Sequence, residues 1–454
     1  MKPGLTRLNL RNLAGLAADG EIDTVLVVAA DLQGRLQGKR FDANHFLSEV
    51  VHHSTEACSY VLAVDVDMNT VGGYAMSSWE TGYGDFVMQP DLTTLRVMAW
   101  HERTAICHAD LIWQDGAPVA ESPRQILRGQ VARLAEHGWH GLVATELEFI
   151  VFDDSYESAW DNGYRGLTPA SRYNIDYSIL GTSRLEPFLG RIRREMTACG
   201  MRVESLKGEC NLGQQEIAFR FDELVAKADE HSLFKTGVKE IAAQEGRSVT
   251  FMAKYDEREG NSCHIHMSLR DDGDVPVFAG RREHGMSEVF QHFLAGLLNA
   301  TADLTLLFAP NINSYKRFAA GSFAPTAVVW GLDNRTCSYR VVGHGESLRV
   351  ECRIPGGDVN PYMAISALVA AGLHGVEQDM ALEPAFSGNA YAAAAPRLPR
   401  TMREATDRFA ASAIARDAFG GSVVDHYVNA AEVEMASFES SVTDWERYRS
   451  FERM

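Results

Sequence analysis

The chain has 454 residues, 46% hydrophobic and 23% charged, with 43 Lys+Arg against 61 Asp+Glu and a formal charge of −18. At roughly 100–200 residues per domain, this length gives two or three domains with ample core. The acidic balance excludes an ordinary nucleic-acid or anionic-membrane binder, which needs clustered Lys and Arg. The first hundred or so residues read as short strands at 24–29, 60–65, 94–100 and 109–113, with Gly and Asp between them. Residues 114–118 carry a loop signal. Ser122 and Pro123 then open a helix with Ile126, Leu127, Val131 and Leu134 on its apolar face, and Gly138 ends it. A domain boundary near residue 120 divides the chain into 1–119 and 120–454. Beyond it, strands alternate with helical patterns at about 183–199, 225–246, 287–308, 360–377 and 401–449. No repeat of the solenoid or propeller kind is visible.

The seven cysteines, at 58, 107, 199, 210, 263, 337 and 352, include no CxxC pair, so a zinc ribbon and a thioredoxin-type site are both excluded. No signal-peptide core follows Met1, Lys2, Pro3 and Gly4. The longest apolar stretch, 362–376, contains His374 and is shorter than the roughly 20 residues of a membrane span. A reducing cytoplasm is the expected home.

The informative feature lies in four apolar strands that carry polar residues at i, i+2 spacing, hence on one sheet face. In 145–152, Glu146 and Glu148 share a face opposite Leu147 and Phe149. In 215–221, Glu216 and Arg220 oppose Ile217, Phe219 and Phe221. In 264–269, His264, His266 and Ser268 oppose Ile265, Met267 and Leu269. In 349–354, Arg349, Glu351 and Arg353 repeat the pattern. Any one such strand is ordinarily half-exposed and amphipathic. All four lack lysine, however, and carry residue types that bind metals and phosphates.

If the four faces converge, Glu146, Glu148, Glu216 and Glu351 need a counter-charge, and a divalent metal cluster supplies it. Oxygen ligands with one or two imidazoles and no thiolate suit Mg²⁺ or Mn²⁺ better than zinc. Arginine forks match carboxylate and phosphate oxygens. Together they point to phosphoryl transfer. No P-loop and no GxGxxG occurs, so a nucleotide is held by other means.

These segments resemble the glutamine synthetase family, strongly from the first strands to about residue 380 and more weakly beyond. Besides the Glu146/Glu148 strand, the motifs are 207–216 (KGECNLGQQE), 260–268 (GNSCHIHMS), 313–317 (NSYKR), Asn334-Arg335 with Arg340, 349–353 (RVECR) and Asn360-Pro361-Tyr362. The resemblance implies an α+β fold: a small N-terminal β-grasp domain and a large catalytic domain with a curved antiparallel sheet flanked by helices. It implies that Glu148, Glu209 and Glu216 hold an inner metal, and that Glu146, His264 and Glu351 hold one on the ATP side, with two or three Mg²⁺ or Mn²⁺ per site. By the same resemblance, Arg317 and Arg353 hold glutamate, Gly260 lines its site, and Arg335 and Arg340 stabilise the transferred phosphate. His266 meets a phosphate, and Phe221, Ser268, Arg340 and Arg349 serve ATP. ATP would phosphorylate the γ-carboxylate of glutamate, and an amine would displace phosphate. The expected assembly is a dodecamer of two hexameric rings with active sites between subunits.

Two departures bear on the nucleophile. Two residues before Pro325, ammonia-using members carry a Glu that takes a proton from ammonium; here Phe323 stands there. The Asp followed by Gly-Ser-Ser in the N-terminal domain is also missing, and 64–74 reads VDVDMNTVGGY. A phenyl ring accepts no proton but can line a pocket for a carbon-bearing group. The expectation is therefore a ligase joining glutamate to a primary amine, ethanolamine-like in preference to a polyamine, since no acidic residue lies between Lys316 and Val329. Asp65, Asp67, Glu80 and Asp85 are the other acids on offer for a polyamine. Rival readings are an ammonia-using glutamine synthetase, a non-catalytic ring protein and a guanidino-type kinase on the same fold. Tyr391 falls roughly where some members are adenylylated, but Ala392-Ala393-Ala394 follows it, and it reads as an ordinary exposed loop tyrosine.

Overall fold

The structure is a computed structural model that describes residues 7–454; Met1, Lys2, Pro3 and Gly4, read above for a leader, lie outside the described residues. Two sheets organise it. The first takes β1 (Thr24–Ala30), β2 (Leu36–Asp42), β3 (Thr55–Cys58), β4 (Asp85–Pro90), β5 (Arg96–Val97) and β6 (Thr104–Ile112). Their order is β2-β1-β6-β4-β3, with β5 also on β6. β1 and β6 run parallel, and the other neighbours are antiparallel. β1 is buried over nearly its whole length, which explains why its sequence is a continuous apolar run.

Two expected strands of this region come out differently. The run at 60–65 does not form a strand: Ser59–Leu62 is a 3₁₀ turn and the strand falls just before it, at Thr55–Cys58. There Thr55–Cys58 finds β4 as a pairing partner, while Ala63 N–H closes back on Tyr60 O at 2.6 Å. The expected strand at 94–100 shrinks to Arg96–Val97, because Leu92–Thr94 winds as a 3₁₀ turn capped by the Asp91 side chain. In both cases burial and available partners override local β propensity.

The second sheet takes β7 (Trp139–Phe152), β8 (Val203–Gly208), β9 (Gln214–Phe219), β10 (Asp222–Glu223), β11 (Ser248–Thr250), β12 (Cys263–Asp271), β13 (Trp330–Leu332), β14 (Tyr339–Val342) and β15 (Arg349–Cys352). The order is β13-β14-β15-β12-β7-β9-β8, with β10 and β11 also on β7. The expected antiparallel sheet holds except at one edge, where β13 and β14 run parallel. The long central β7 pairs β12 and then β11 along one side and β9 and β10 along the other.

The helices Pro123–Glu136, Glu186–Ala198, Leu224–Gln244, Glu288–Phe308 and Pro361–Glu377 match the expected patterns to within a few residues. The pattern at 401–449 resolves into four helices, Met402–Ala411, Ala413–Phe419, Gly421–Ser440 and Asp444–Ser450. Pro361–Glu377 is buried nearly all round and lies against Glu288–Phe308. A Cβ on Gly296 would come within 2.2 Å of Ala371 O, and one on Gly375 within 2.1 Å of His292 O, so only glycine permits this approach. No helix of the described residues is long and apolar enough to cross a membrane.

A buried ion network ties the first sheet to the second layer. Arg124 donates to both oxygens of Asp229 at 3.0 and 2.9 Å and to Asp91 at 2.8 Å, and it also meets Asp110. Tyr362 O–H donates to Asp229 at 2.6 Å. Asp91 and Asp110 belong to the first sheet region, whereas Asp229 lies in the Leu224–Gln244 helix.

Candidate active site

Strand register builds the site. In the ladders of the second sheet, Glu148 faces Glu216 and Glu216 faces Lys207. One step along, Glu146 faces His264. Beyond it, His266 faces Glu351 and Glu351 faces Arg340. Cross-strand partners point to the same side of a sheet, so the polar residues of β7, β8, β9, β12, β14 and β15 share one face. The opposite residues, Leu147, Phe149, Ile217, Ile265, Met267 and Val350, enter the core against the helices.

The convergence expected from the sequence is therefore present. Potential ligand atoms of Glu148, Glu209 and Glu216 lie within 4.8 Å of one another, as do those of Glu146, Glu216 and His264, and those of Glu146, His266 and Glu351. His264 Nδ1 is 3.4 Å from Glu146 Oε2 and 3.6 Å from Glu351 Oε1, and His266 Nε2 is 3.0 Å from Glu146 Oε1. Glu148 is fixed by the Ser262 N–H at 2.8 Å and by Gln214 Nε2 at 3.1 Å. These distances are hydrogen-bond and ion-pair lengths, and together they make an oxygen-rich cradle with imidazole on one side.

The electrostatics of the two ends differ. Burial pushes Glu148 up to about 7, helped by the negative charge of Glu209 and opposed by the Ser262 N–H. Burial pushes Glu216 up to about 8, with Glu146 and Glu148 adding repulsion. At the other end burial is outweighed: hydrogen bonds with His264 and His266 hold Glu146 well below the usual carboxylate range. Glu351 falls to about 2 under the pull of His264 and Arg353. Burial, followed by the nearby Arg353, lowers His264 to about 4, so it is neutral and free to offer a lone pair near neutral pH. His264 Nε2 is buried with no hydrogen-bond partner. Carboxylates with raised pKa, packed together, are the signature of a site that a divalent ion completes. The donor set, all oxygen plus imidazole, fits a hard ion such as Mg²⁺ or Mn²⁺.

The cradle forms one side of a pocket of about 430 Å³. Arg335, Arg340 and Arg353 line it from the β14–β15 side, and Ser322 and Phe323 from the loop before β13. Arg340 donates to Glu351 Oε2 at 2.9 Å, and Arg353 Nε to Arg335 O at 3.1 Å. Gly260 lines the floor, where a Cβ would come within 2.1 Å of Ala253 O. Phe323 is 57% exposed and has a positive φ of 58°, a strained conformation for a bulky side chain that occurs here at a pocket lip.

Some expected residues stand elsewhere. Arg317, expected on glutamate, is buried behind the wall, with its fork donating to Ile354 O at 2.7 Å, Arg353 O at 3.1 Å and Ser262 Oγ at 2.9 Å. Its donors thus support the backbone just after β15. Arg349 Nε donates to His266 Nδ1 at 3.2 Å, which fixes the imidazole's orientation. Ser268 lies further along β12 opposite Leu142, and Phe221 follows β9 with its ring under Arg220; neither lines this pocket. Tyr391 is half-buried rather than exposed, with its hydroxyl enclosed. Asp65, Asp67, Glu80 and Asp85 do not line the pocket either. Sequence reasoning missed Asp176, Tyr177, Lys207 and Glu259, which do line it. Lys207 was recoverable from its place two residues before Glu209, whereas Asp176 and Tyr177 arrive from a distant loop with no pattern.

All seven cysteines are free. The profile of the family "glutamine synthetase, catalytic domain" matches residues 120–450. The chain is 61% identical over 448 residues to the gamma-glutamylethanolamide synthetase GlnA4 of Streptomyces coelicolor, covering 98% of this chain and 96% of that one. It is 36% identical over 435 residues to the glutamate–isopropylamine ligase of a Pseudomonas species, covering 94% and 95%. A solved structure of GmaS with ADP superposes with a TM-score of 0.85 at 25% identity, covering 97% of this chain and 99% of that one.

Proposed function

This chain belongs to the glutamine synthetase family, and on that premise we propose that it is an ATP-dependent ligase joining the γ-carboxylate of glutamate to a small primary amine through γ-glutamyl phosphate. The observation that carries the amine is Phe323 at the lip of an otherwise complete carboxylate and arginine pocket. The relatives that act on ethanolamine and isopropylamine by name support the same reading. An ethanolamine-like substrate is favoured over a polyamine.

Glu148, Glu209 and Glu216 would hold an inner Mg²⁺ or Mn²⁺, and Glu146, His264 and Glu351 an ATP-side one, giving two or three ions per site. Ions bound there would supply Lewis-acid charge neutralisation for the phosphate oxygens of the transferred group. Arg335 and Arg340 line the pocket from the β14 side and would offset charge developing on that group. Arg353 binds the glutamate carboxylate, with Arg317 bracing its carbonyl from behind and Gly260 letting the substrate approach the backbone. His266, held by Arg349, would meet a phosphate, and Phe221, Ser268, Arg340 and Arg349 would serve ATP. The γ-carboxylate oxygen attacks the terminal phosphorus and ADP leaves. The neutral amine nitrogen then attacks the acyl carbon, the C–O bond to phosphate breaks, and the departing phosphate takes the proton from nitrogen as the amide forms. Phe323 covers the amine with an apolar ring and takes no proton.

We also assign residues 1–119 to an N-terminal β-grasp unit and 120–454 to the catalytic unit, a division supported by β1–β6 all preceding the Pro123–Glu136 helix and β7–β15 all following it. The assembly proposed is a dodecamer of two hexameric rings with shared sites, in keeping with the family, and the location is the cytoplasm.

The test is phosphate release from ATP with glutamate and a panel of amines. Activity with ethanolamine or another short amine well above that with ammonia is expected. Ammonia serving at least as well as every organic amine would reject the proposal.

A further inference from the structure

Lys207 is the one lysine on the polar face of the sheet. It stands opposite Glu216 on β8, and its side chain is only 21% exposed. Its ammonium contacts Glu209, lies 3.8 Å from Glu216 Oε1 and 3.4 Å from Asp176 Oδ1, and sits 4.4 Å from the centroid of the Tyr177 ring. Two kinds of partner therefore hold it, carboxylates and an aromatic face. Glu209 and Glu216 also belong to the triad that a divalent ion would neutralise. Asp176 and Tyr177 lie outside that triad, so the ammonium keeps both as partners when an ion takes the carboxylates.

Asp176, Glu209 and Cys210 also gather within 4.8 Å and present a metal-like set of atoms. Lys207 lies on two of the three, which makes this cluster the counter-ion of a lysine. Asp176 is then a wall carboxylate of the pocket whose charge is already balanced. Glu259 is the other carboxylate of the lining with no part in the cradle.

Resting on the reading that this site joins an amine to glutamate, we infer that Lys207 is a specificity-determining residue that excludes amines bearing a second positive charge. A monoamine brings only its reacting nitrogen and meets Phe323 and Tyr177. A diamine brings a further ammonium into a wall where Asp176 is engaged and a like charge is fixed. Like charges at short range in a partly enclosed pocket cost enough to show as a selectivity of about tenfold or more.

The experiment compares 1-aminobutane with 1,4-diaminobutane, matched in length, with ammonia as reference, by phosphate release using the full-length enzyme. The wild type is expected to show kcat/KM for the diamine about tenfold or more below that for the monoamine. Lys207→Met is expected to bring the two within about threefold, because Asp176 is released; adding Asp176→Asn to it removes that gain. Lys207→Arg keeps the charge and is expected to keep the exclusion. Equal use of the two amines by the wild type, or an unchanged ratio in an active Lys207→Met enzyme, overturns the inference. If Lys207→Met has no activity, the wild-type ratio and Lys207→Arg decide. A wild type that uses the monoamine but not selectively sinks only the role of Lys207, whereas one that prefers ammonia to both sinks the amine reading beneath it.

Discussion

His264 and Glu146 are register partners on adjacent strands, and their side chains meet at 3.4 Å between Nδ1 and Oε2. A sheet ladder thus fixes a first pair of candidate metal-ligating groups without any loop. Glu351, the third, is fully buried on the far side of β12 and held by Arg340 and Arg353. Rigid elements of this kind hold donor atoms in place before a ligand arrives.

That arrangement makes Glu146→Gln informative. The amide keeps the shape but loses the negative charge that faces His264 and His266. kcat is expected to fall by roughly a hundredfold or more, with the KM for glutamate changed only a few-fold, since the lost group serves the phosphoryl end. Steady-state kinetics with ATP and glutamate varied in turn check the split; a rise confined to the glutamate KM would contradict the assignment.

Removal of divalent ions has a pH dependence of known sign. Glu148 and Glu216 titrate at about 7 and about 8 in the folded chain, above the ordinary 4.5 of an unfolded Glu. Their contribution to the stability of the ion-free fold is full below pH 4.5 and is lost as pH rises through those values. Glu351, at about 2, acts oppositely but only below pH 4.5, and His264, at about 4, acts only below its ordinary 6.5. Between pH 6.5 and 8, chelation is therefore expected to lower the melting temperature increasingly. The gap between Mg²⁺-loaded and chelated protein should be larger at pH 8 than at pH 6.5 by about 2 °C or more. Thermal melts in matched buffers measure it, and a gap that closes with rising pH would be inconsistent with a carboxylate-held ion.

Phe323→Glu tests the lip. The substitution places a carboxylate where ammonia-using members of the family carry one. The kcat/KM for ethanolamine is expected to fall about tenfold or more while ammonia use rises, because a group that binds a small cation replaces an apolar cover. An unchanged amine profile would show that Phe323 lies outside the amine path.

The metal cradle was legible in the sequence because it is written in strands. A period of two puts Glu146 with Glu148 and His264 with His266 on one face whatever else the chain does. The helices were legible for the same reason, as periodic apolar runs with caps such as Asn360 before Pro361. What period alone does not give is the partner strand. Hence the run at 60–65 was misplaced, and short β8, β13 and β14, whose pairing comes from their neighbours, passed unseen. Nor does pattern show where a guanidinium points: Arg317 fits its motif, yet its fork closes on backbone carbonyls. Asp176 and Tyr177 reach the pocket from an irregular loop, where chain proximity alone is no guide.

The junction between the first sheet and the helices yields a stability prediction. Arg124 is buried and pairs with the wholly buried Asp229, while also meeting Asp91 and Asp110. Burial opposes the charge on Asp229, and the pull of His108 and Arg124 outweighs it and holds that carboxyl below its ordinary value. Arg124→Met leaves Asp91 and Asp110 paired with Arg128, but strands Asp229 with only Tyr362 as a hydrogen-bond donor and His108 Nδ1 3.6 Å away. The loss is expected to be about 3–5 kcal/mol, much more than the net worth of the pair, because an uncompensated charge stays in the interior. Replacing both partners, as Arg124→Met with Asp229→Leu, is expected to recover part of it, since the buried charge goes with its partner. Denaturant unfolding of the wild type, the single and the double variant, followed by tryptophan fluorescence, separates the two cases. A single variant within about 1 kcal/mol of the wild type would mean that this network is a solvated surface pair and not the tie between the two layers.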